Sequence, residues 1–590
     1  MRRVAFVLIL TGLFAAGCAK PTTAPTTTTQ APAPAGAAAK FAVQFTDVAK
    51  AMGIDFTHTT GAFGQKWFPE TMGAGVAWID YDGDGWQDLL FVNGRDWTAA
   101  ERRSAKQPAG GARRTATLRL YRNVSGQRFE DVTKAAGLAV EMYGMGVCVG
   151  DYDNDGRPDL AVSTLDRNFL FHNDGGKFTE VAKAAGVAGK GWGTSCTFVD
   201  YDRDGKLDLF VAHYIVWTPA IDIYFSRNGK DKSYTTPERY VGELCRLYHN
   251  EGIGKFTDVS DKAGLWKSSD GRKLQGKSLG VVVCDYNKDG WPDLMVANDT
   301  EPTYLYQNKG DDTFTEVGVQ QGVAYGEAGR PRAGMGIDVG DYDHSGRDAF
   351  AIGNFSNEAV ALYTNSGKIF VDKAYASDVG RATLLSLTFG CFFFDADNDG
   401  WVDLFLANGH LDPDVEQVQS NVGYKERPQL FANVSGRLTD ATDQAGPGFK
   451  TALVARGAAY ADFDHDGDLD IVITTNGGPA VLLRNDGGNA NKAVRLTLHG
   501  SASNVSAIGA VVEATSGTNT QRYTVRGGSS YLSQSELPLT IGLGSATQID
   551  KLVIHWPDGK DATVSNLAAG KAYRIDEPDK VTELGPLGSH

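Results

Sequence analysis

Cysteine and histidine are scarce in this 590-residue sequence, at six and ten residues, and no apolar run is long enough to span a bilayer. Five of the cysteines, Cys148, Cys196, Cys245, Cys284 and Cys391, lie beyond residue 40. Their odd number leaves at least one thiol unpaired within the chain, and four of them stand one to four residues before an acidic loop. They read as small buried side chains rather than as a disulfide framework. Also missing are the G-x-S-x-G, H-E-x-x-H, phosphate-loop and dinucleotide patterns, which removes the enzyme classes that short motifs reveal. Positive charge is short as well. There are 57 basic against 72 acidic residues, a net charge of -15 and no basic stripe, which argues against a nucleic-acid partner.

What the chain has instead is one acidic loop written seven times. The first, DYDGDGWQDL, sets Asp80, Asp82 and Asp84 on alternate residues, Gly85 at the turn and Asp88 at position nine. Carboxylates so spaced converge on one point, and hard cations of calcium size take such an oxygen cage. The second, third, sixth and seventh loops keep all four carboxylates: Asp151, Asp153, Asp155 and Asp159; Asp200, Asp202, Asp204 and Asp208; Asp395, Asp397, Asp399 and Asp403; Asp462, Asp464, Asp466 and Asp470. The fourth has Asp285, Asn287, Asp289 and Asp293, the asparagine being a neutral oxygen ligand. The fifth has Asp341, Asp343 and Ser345, then Asp348 at position eight and Ala349 at nine, and is expected to be the weakest. The expectation is up to seven calcium ions in a structural role. These loops hold 26 of the 72 acidic residues, so the net charge does not mark a docking surface for basic partners.

Each loop lies between strand-like runs, and each repeat continues with a segment ending in asparagine and then a pattern like FEDV. Four strands per repeat, a to d, account for this order. Six repeats carry glycine five residues before the first aspartate, as at Gly75, Gly146, Gly280, Gly336, Gly390 and Gly457, where crowding near an axis favours it; Ser195 is the exception. The seventh repeat lacks its FEDV-like strand, and the missing pattern, FTDV from Phe45, stands at the front of the chain. The expected fold is all-β: a seven-bladed β-propeller over residues 41–490, its N-terminal strand closing the last blade. A small sandwich-like all-β domain is expected over 491–576 and a disordered tail over 577–590. Within the second domain, VRGGSSYLSQSE, with Arg526, Tyr531 and Gln534, reads either as a polar binding loop or as a structural turn whose tyrosine packs on the neighbouring domain.

The loops resemble FG-GAP/VCBS repeats, as in the integrin α-chain propeller. Runs such as PETMGAGVAWIDYDGDGWQDLLFVNG and RPRAGMGIDVGDYD resemble bacterial relatives of cartilage acidic protein. AIGAVVEATSG, VRGGSSYLSQSE and VIHWPDG resemble the ASPIC/UnbV domain that ends those proteins. The resemblance implies the propeller and says little about activity. At the N-terminus, Arg2 and Arg3 precede an apolar run from Val4 to Phe14, an export signal over residues 1–18. Its end, Ala15-Ala16-Gly17-Cys18, resembles the lipobox of bacterial lipoproteins. That implies lipidation of Cys18, membrane attachment through this lipid alone, and a periplasmic or cell-surface location. Residues 19–40, rich in threonine, proline and alanine, read as a flexible tether.

Strand order assigns the faces. Acidic loops join a to b and short turns join c to d on one face, so the b–c and d–a connections share the other. Long insertions fall there, at 94–117, 213–245 and 408–428, where binding usually resides. The candidate ligand residues are His58, Lys66, Glu70, Tyr143, Trp192, Lys277, Arg332 and His410, with Glu141, Arg330 and Arg456 beside them. Charges mixed with aromatic rings suit a sugar or an anionic ligand. The leading expectation is a non-enzymatic binding or adhesion module for a glycan or protein partner. The alternative is a polysaccharide lyase or hydratase drawing its base and its charge neutraliser from the same residues.

Overall fold

The computed structural model describes residues 41–588 except 109–115, 228 and 269. The export signal, Cys18 and the tether lie outside the described residues. Strands form nine four-stranded sheets, seven of which are the propeller blades. Blade 1 contains Val76–Ile79, Asp88–Phe91, Arg119–Asn123 and Phe129–Asp131, paired antiparallel in chain order, and blades 2 to 6 repeat that meander. In the seventh blade, Ala455–Ala461, Asp470–Thr475 and Val481–Asp486 are joined by Gln44–Asp47, with Phe45 opposite Asn485. The strand missing from the last repeat therefore comes from the front of the chain.

Burial follows radial position. Innermost strands such as Gly144–Gly150, Gly193–Val199 and Ser278–Cys284 are buried at every residue because both faces pack on neighbouring blades. Outermost strands such as Phe129–Asp131 and Phe178–Glu180 bury only the phenylalanine. The asparagine that ends each third strand is an inter-blade staple. Its Nδ2 donates to the carbonyl at position two of the preceding blade's acidic loop: Asn173 to Tyr81 (2.9 Å), Asn250 to Tyr152 (2.8 Å), Asn308 to Tyr201 (2.8 Å). Asn365, Asn433 and Asn485 repeat the bond to Tyr286, Tyr342 and Ala396, and Asn123 of blade 1 reaches Phe463 of blade 7 at 2.8 Å. Each such bond contributes about 1 kcal/mol net. A turn glycine supports the same interface, for Gly137 has φ 80° and a Cβ there would lie 2.6 Å from the Phe178 carbonyl.

The C-terminal unit is a two-sheet sandwich. Lys492–His499, Leu539–Gly544, Lys571–Asp576 and Lys580–Pro586 form one sheet; Val511–Ser516, Asn519–Thr524, Gln548–His555 and Asp561–Ala568 form the other. The tail expected to be disordered over 577–590 is thus corrected. Residues 580–586 pair with Lys571–Asp576 as an edge strand, and a Lys571–Glu583 ion pair of 2.8 Å lies across the two. Charged side chains suit a strand that stays on an exposed edge.

Nor does this unit stand apart from the propeller. Residues 526–536 leave the sandwich as a finger among the innermost strands. Ser530 and Ile337 of blade 5 exchange backbone hydrogen bonds of 2.8 and 3.0 Å, and the Leu532 carbonyl accepts from Val147 N (3.1 Å). The Gln534 backbone bonds to Val76 and Trp78 of blade 1, while its side chain accepts from Val149 N (2.7 Å) and donates to Val149 O (3.1 Å). The inner-strand glycines make room for this passage. A Cβ at Gly75 would collide with the Leu532 carbonyl, and one at Gly457 would lie 2.5 Å from Ser533 Oγ. Ser195, the exception in the glycine series, accepts a hydrogen bond from Leu532 N (3.1 Å).

Candidate functional site

The acidic loops share one hydrogen-bond plan. In blade 1, Asp80 accepts from Asp84 N (3.1 Å) and Gly85 N (3.0 Å), which folds the loop around its first carboxylate. Asp88 accepts from Tyr81 N (3.1 Å) and, across the sheet, from Asn123 N (2.7 Å). Position nine is therefore a backbone clamp joining loop, second strand and third strand. The clamp recurs at Asp159, Asp208, Asp293, Asp403 and Asp470.

These bonds hold carboxylates together without neutralising them. Oxygens of Asp80, Asp82 and Asp88 lie within 4.8 Å of one another, as do those of Asp151, Asp153 and Asp155 and of Asp200, Asp202 and Asp204. Burial, with repulsion from neighbouring aspartates added, raises Asp80 to about 6, Asp88 to about 8, Asp159 to about 9 and Asp200 to about 8. Asp200 Oδ1, Asp464 Oδ1 and both Asp462 carboxylate oxygens are buried with no hydrogen-bond partner, although Arg495 lies 3.6 Å from Asp462. Clustered carboxylates in this state, with a histidine nitrogen beside them in loops two and three, could hold a divalent cation, which would remove the repulsion that burial amplifies.

Third-strand side chains also reach the loops. Arg122 contacts Asp82 and Asp84 at 2.8 Å each. His172 lies 3.2 Å from Asp153 and 3.4 Å from Asp159, and His249 lies 3.2 Å from both Asp202 and Asp208. Both histidines stand in third strands, Phe169–Asn173 and Arg246–Gly252, and the spacing of the acidic loops alone does not bring them to the carboxylates. Their position, one residue before the stapling asparagine, was the available signal.

Loop five is built differently. Without an aspartate at position nine it has no clamp, and Asp348 at position eight turns toward blade 4. There it accepts from Asp285 N (3.0 Å) and pairs with Arg522 of the C-terminal sandwich. A guanidinium thus stands beside this loop. The sandwich lies over the acidic-loop face elsewhere too, with Asp151 N donating to Ser506 Oγ and Val505 N donating to Asn154 Oδ1, both at 3.0 Å.

The opposite face is packed with the chain's own residues. The turn Phe68–Thr71 folds into it beside Trp67, Trp97, Tyr143, Trp192 and Tyr214, and the finger brings Tyr531 and Leu532 into the same apolar cluster. Phe68 stacks on Tyr214 at 5.9 Å, and Phe389 meets Tyr531 edge to face at 4.9 Å. Of the expected ligand residues, His58, Glu70, Tyr143, Trp192, Lys277 and His410 are buried. His58 accepts from Gly477 N (3.2 Å), and burial, then Arg456, lowers it to about 3; burial lowers His410 to about 4. Tyr143 donates to the Thr60 carbonyl (2.6 Å), while Trp192 N donates to Glu243 (2.8 Å). Lys66, Lys277 and Arg332 form ion pairs of 2.8 Å with Asp414, Glu301 and Asp372. Glu70 accepts from the Tyr234 hydroxyl (3.2 Å), and burial raises it to about 7. Arg456, fully buried, donates to the Thr71 and Gly409 carbonyls and lies over the Phe389 ring at 3.9 Å. An open funnel lined by these groups is therefore corrected to a packed aromatic plug. Rings read as a display surface pack on one another, and Lys66, Lys277 and Arg332 have local partners, while His58 Nε2, Glu70 Oε1, Trp192 Nε1 and His410 Nε2 are buried with no hydrogen-bond partner.

No helix among the described residues is long and apolar enough to cross a membrane. Comparison with known proteins places these features in a family context. A model described as FG-GAP-like repeat matches residues 109–162, 160–211, 285–352 and 395–473, and one described as ASPIC and UnbV matches residues 500–582. Cartilage acidic protein 1 of Xenopus tropicalis is 26% identical over 349 residues, covering 57% of this chain and 50% of that protein. The Homo sapiens protein of the same name is 25% identical over 340 residues, covering 56% and 47%. The chain thus spans about half the length of the curated relatives it matches. Among solved structures, an Agrocybe aegerita lectin described as recognising non-reducing terminal N-acetylglucosamine is a distant likeness. It has 14% identity and a TM-score of 0.36, over 62% of this chain and 87% of that one.

Proposed function

Taking the chain as a protein of FG-GAP-like repeats ending in an ASPIC and UnbV domain, we propose that it is a calcium-braced binding module. It acts outside the cytoplasm, is anchored through lipid on Cys18, and engages a glycan or protein partner without chemical turnover. The observation that carries the calcium reading is the set of convergent, buried carboxylate oxygens without hydrogen-bond partners, at Asp200 above all. Calcium accepts six to eight oxygen ligands in flexible geometry, which suits donors set on a short open loop. Bound there, the ion supplies charge neutralisation and ties each loop to its hairpin. Loop five, with Arg522 beside it and no ninth carboxylate, takes calcium most weakly.

A lyase or hydratase in the funnel would need a base and a charge neutraliser exposed beside its sugar. His58 and Tyr143 are buried beneath the chain's own residues, so no geometry on that face favours this second reading. The test of the metal assignment is elemental analysis after dialysis into calcium. Five to seven equivalents per folded chain are expected, and a folded chain that retains none sinks the assignment.

A further inference from the structure

We propose that the seam between the propeller and the C-terminal sandwich binds a sugar acid, as a single uronate unit either free or at the end of a chain. This deepens the glycan-binding reading above and rests on it. A cavity of about 380 Å³ opens between acidic loops three and four and the sandwich, within the range of about 300–1,000 Å³ common for small-ligand sites. Its sandwich wall carries Ile508, Val511, Trp556 and Pro557. Trp556 and Ile508 are buried behind the half-buried Val511 and Pro557, and the apolar surface that these two leave at the cavity suits the C–H groups of a pyranose ring.

The remaining lining is ionic, and most of it is already engaged. Arg522 pairs with Asp348, and His555 with Asp561 at 2.7 Å. Asp285 and Asp289 accept from N–H groups of their own loop. Beyond Asp200, Asp285 and Asp289, carboxylates of the acidic loops that a bound calcium would answer, three charged groups of the lining have no ion-pair partner among the described residues: Arg203, Lys288 and Glu513. Arg203 and Lys288 occupy position four of loops three and four, each with φ 60°. Arg203 lies over the Trp291 ring at 4.1 Å, which holds the guanidinium at the cavity wall.

With calcium on the loop carboxylates, two cations and one carboxylate are left to define the ligand. The cations call for an anion, and a guanidinium is the side chain best shaped for a carboxylate. Glu513 accepts hydrogen bonds from hydroxyl groups, and Val511 and Pro557 meet the C–H groups of the ring. A neutral sugar leaves both cations unanswered, and inorganic phosphate leaves the apolar wall uncovered. Only a ring that carries both a carboxylate and hydroxyls answers all three features.

Isothermal titration of the calcium-loaded full chain with sodium galacturonate, sodium glucuronate, a galacturonate trimer and galactose tests this. A uronate is expected to bind, with galactose at least tenfold weaker. The Arg203→Gln/Lys288→Gln double variant, which changes only partly or fully exposed side chains, should lose at least tenfold in uronate affinity at an unchanged melting temperature. Glu513→Gln should lose less. Equal affinity for monosaccharide and trimer supports a single-unit site, and binding of the trimer alone supports a chain-end site. A glycan array separates the failures. Retention that persists in the double variant overturns the seam site while leaving glycan binding intact, and a folded wild-type chain that retains no glycan overturns both.

Discussion

The two ends of the propeller axis bury polar groups in opposite ways. At the plugged end, charge is settled locally. Lys277 pairs with Glu301, Arg332 with Asp372 and Arg227 with the buried Asp412, while His58 and His410 are held neutral by burial. At the acidic-loop end, carboxylates are gathered closely enough to repel one another, and side chains such as Arg122, His172 and His249 reach only some of them. The contrast teaches that buried polar groups are not one kind of feature. The first end gives its cations partners within the polypeptide while leaving atoms such as His58 Nε2, Glu70 Oε1 and His410 Nε2 without a hydrogen bond, whereas the second gathers carboxylates that a bound cation would neutralise.

The largest effect expected from this contrast is the response to chelation. Removing calcium should lower the melting temperature by more than about 10 °C, because seven sites lose their binding free energy together; an unchanged melting curve would break the comparison. The pH dependence sharpens it. Burial raises Asp88 to about 8, Asp159 to about 9 and Asp293 to about 9 in the folded chain, above the ordinary value of 3.8. The folded, metal-free chain then binds more protons than the unfolded chain between about pH 4 and 9, so its stability falls as pH rises through that window. Melting the chelated protein at pH 5 and pH 8 should give the lower value at pH 8, with the calcium-loaded protein far less sensitive.

A smaller effect isolates loop five, where the cation is a side chain. Asp348→Asn leaves the Arg522 guanidinium buried without its carboxylate, and breaking such a pair costs about 3–5 kcal/mol. Hydrogen exchange should then rise in the sandwich strand Asn519–Thr524 while calcium content is unchanged. Falling calcium content with unaltered exchange would assign Asp348 to the metal instead. The smallest effect is at the plugged end. Burial raises Glu70 to about 7 from 4.5, so its folded form costs stability only above that ordinary value. Glu70→Gln should stabilise the protein by about 1–3 kcal/mol at pH 8, from about 1.4 kcal/mol per pKa unit, and by almost nothing at pH 4.5. Equal effects at both pH values would show that Glu70 is not the buried acid described here.

The propeller was largely legible in the sequence because each blade repeats the same offsets. The spacing of aspartates, the asparagine-ended strand and the displaced FTDV run are local signals that survive without knowledge of packing. Asn123 and Asn485 were visible as repeat markers, but their side-chain bonds run to the preceding blade, a partner that only the assembled ring brings near. The funnel was misjudged for the same reason. Tyr143, Trp192 and the turn at Phe68 are far apart in sequence from Tyr531, and nothing in VRGGSSYLSQSE carries the alternation of a core strand. Of the two readings open for that segment, the structure bears out the packed turn, with the Tyr531 hydroxyl donating to the Met72 carbonyl at 3.1 Å. The tail was misread because Lys580–Pro586 has few apolar residues, as an edge strand can.

The finger has a further consequence for the order in which the molecule can be assembled. Residues 526–536 emerge after all seven blades, yet they occupy the space at the blades' centre. The strand at residues 44–47 is made first and must wait for the seventh blade, because its only sheet partner is Val481–Asp486. Domains tend to fold as units from the N-terminus during synthesis, but here the strand at 44–47 waits for the seventh blade and the finger waits for the inner strands that it bonds. A ribosome that stops before residue 526 leaves a ring with a glycine-lined void where Leu532 belongs. The axis thereby records whether the chain was finished.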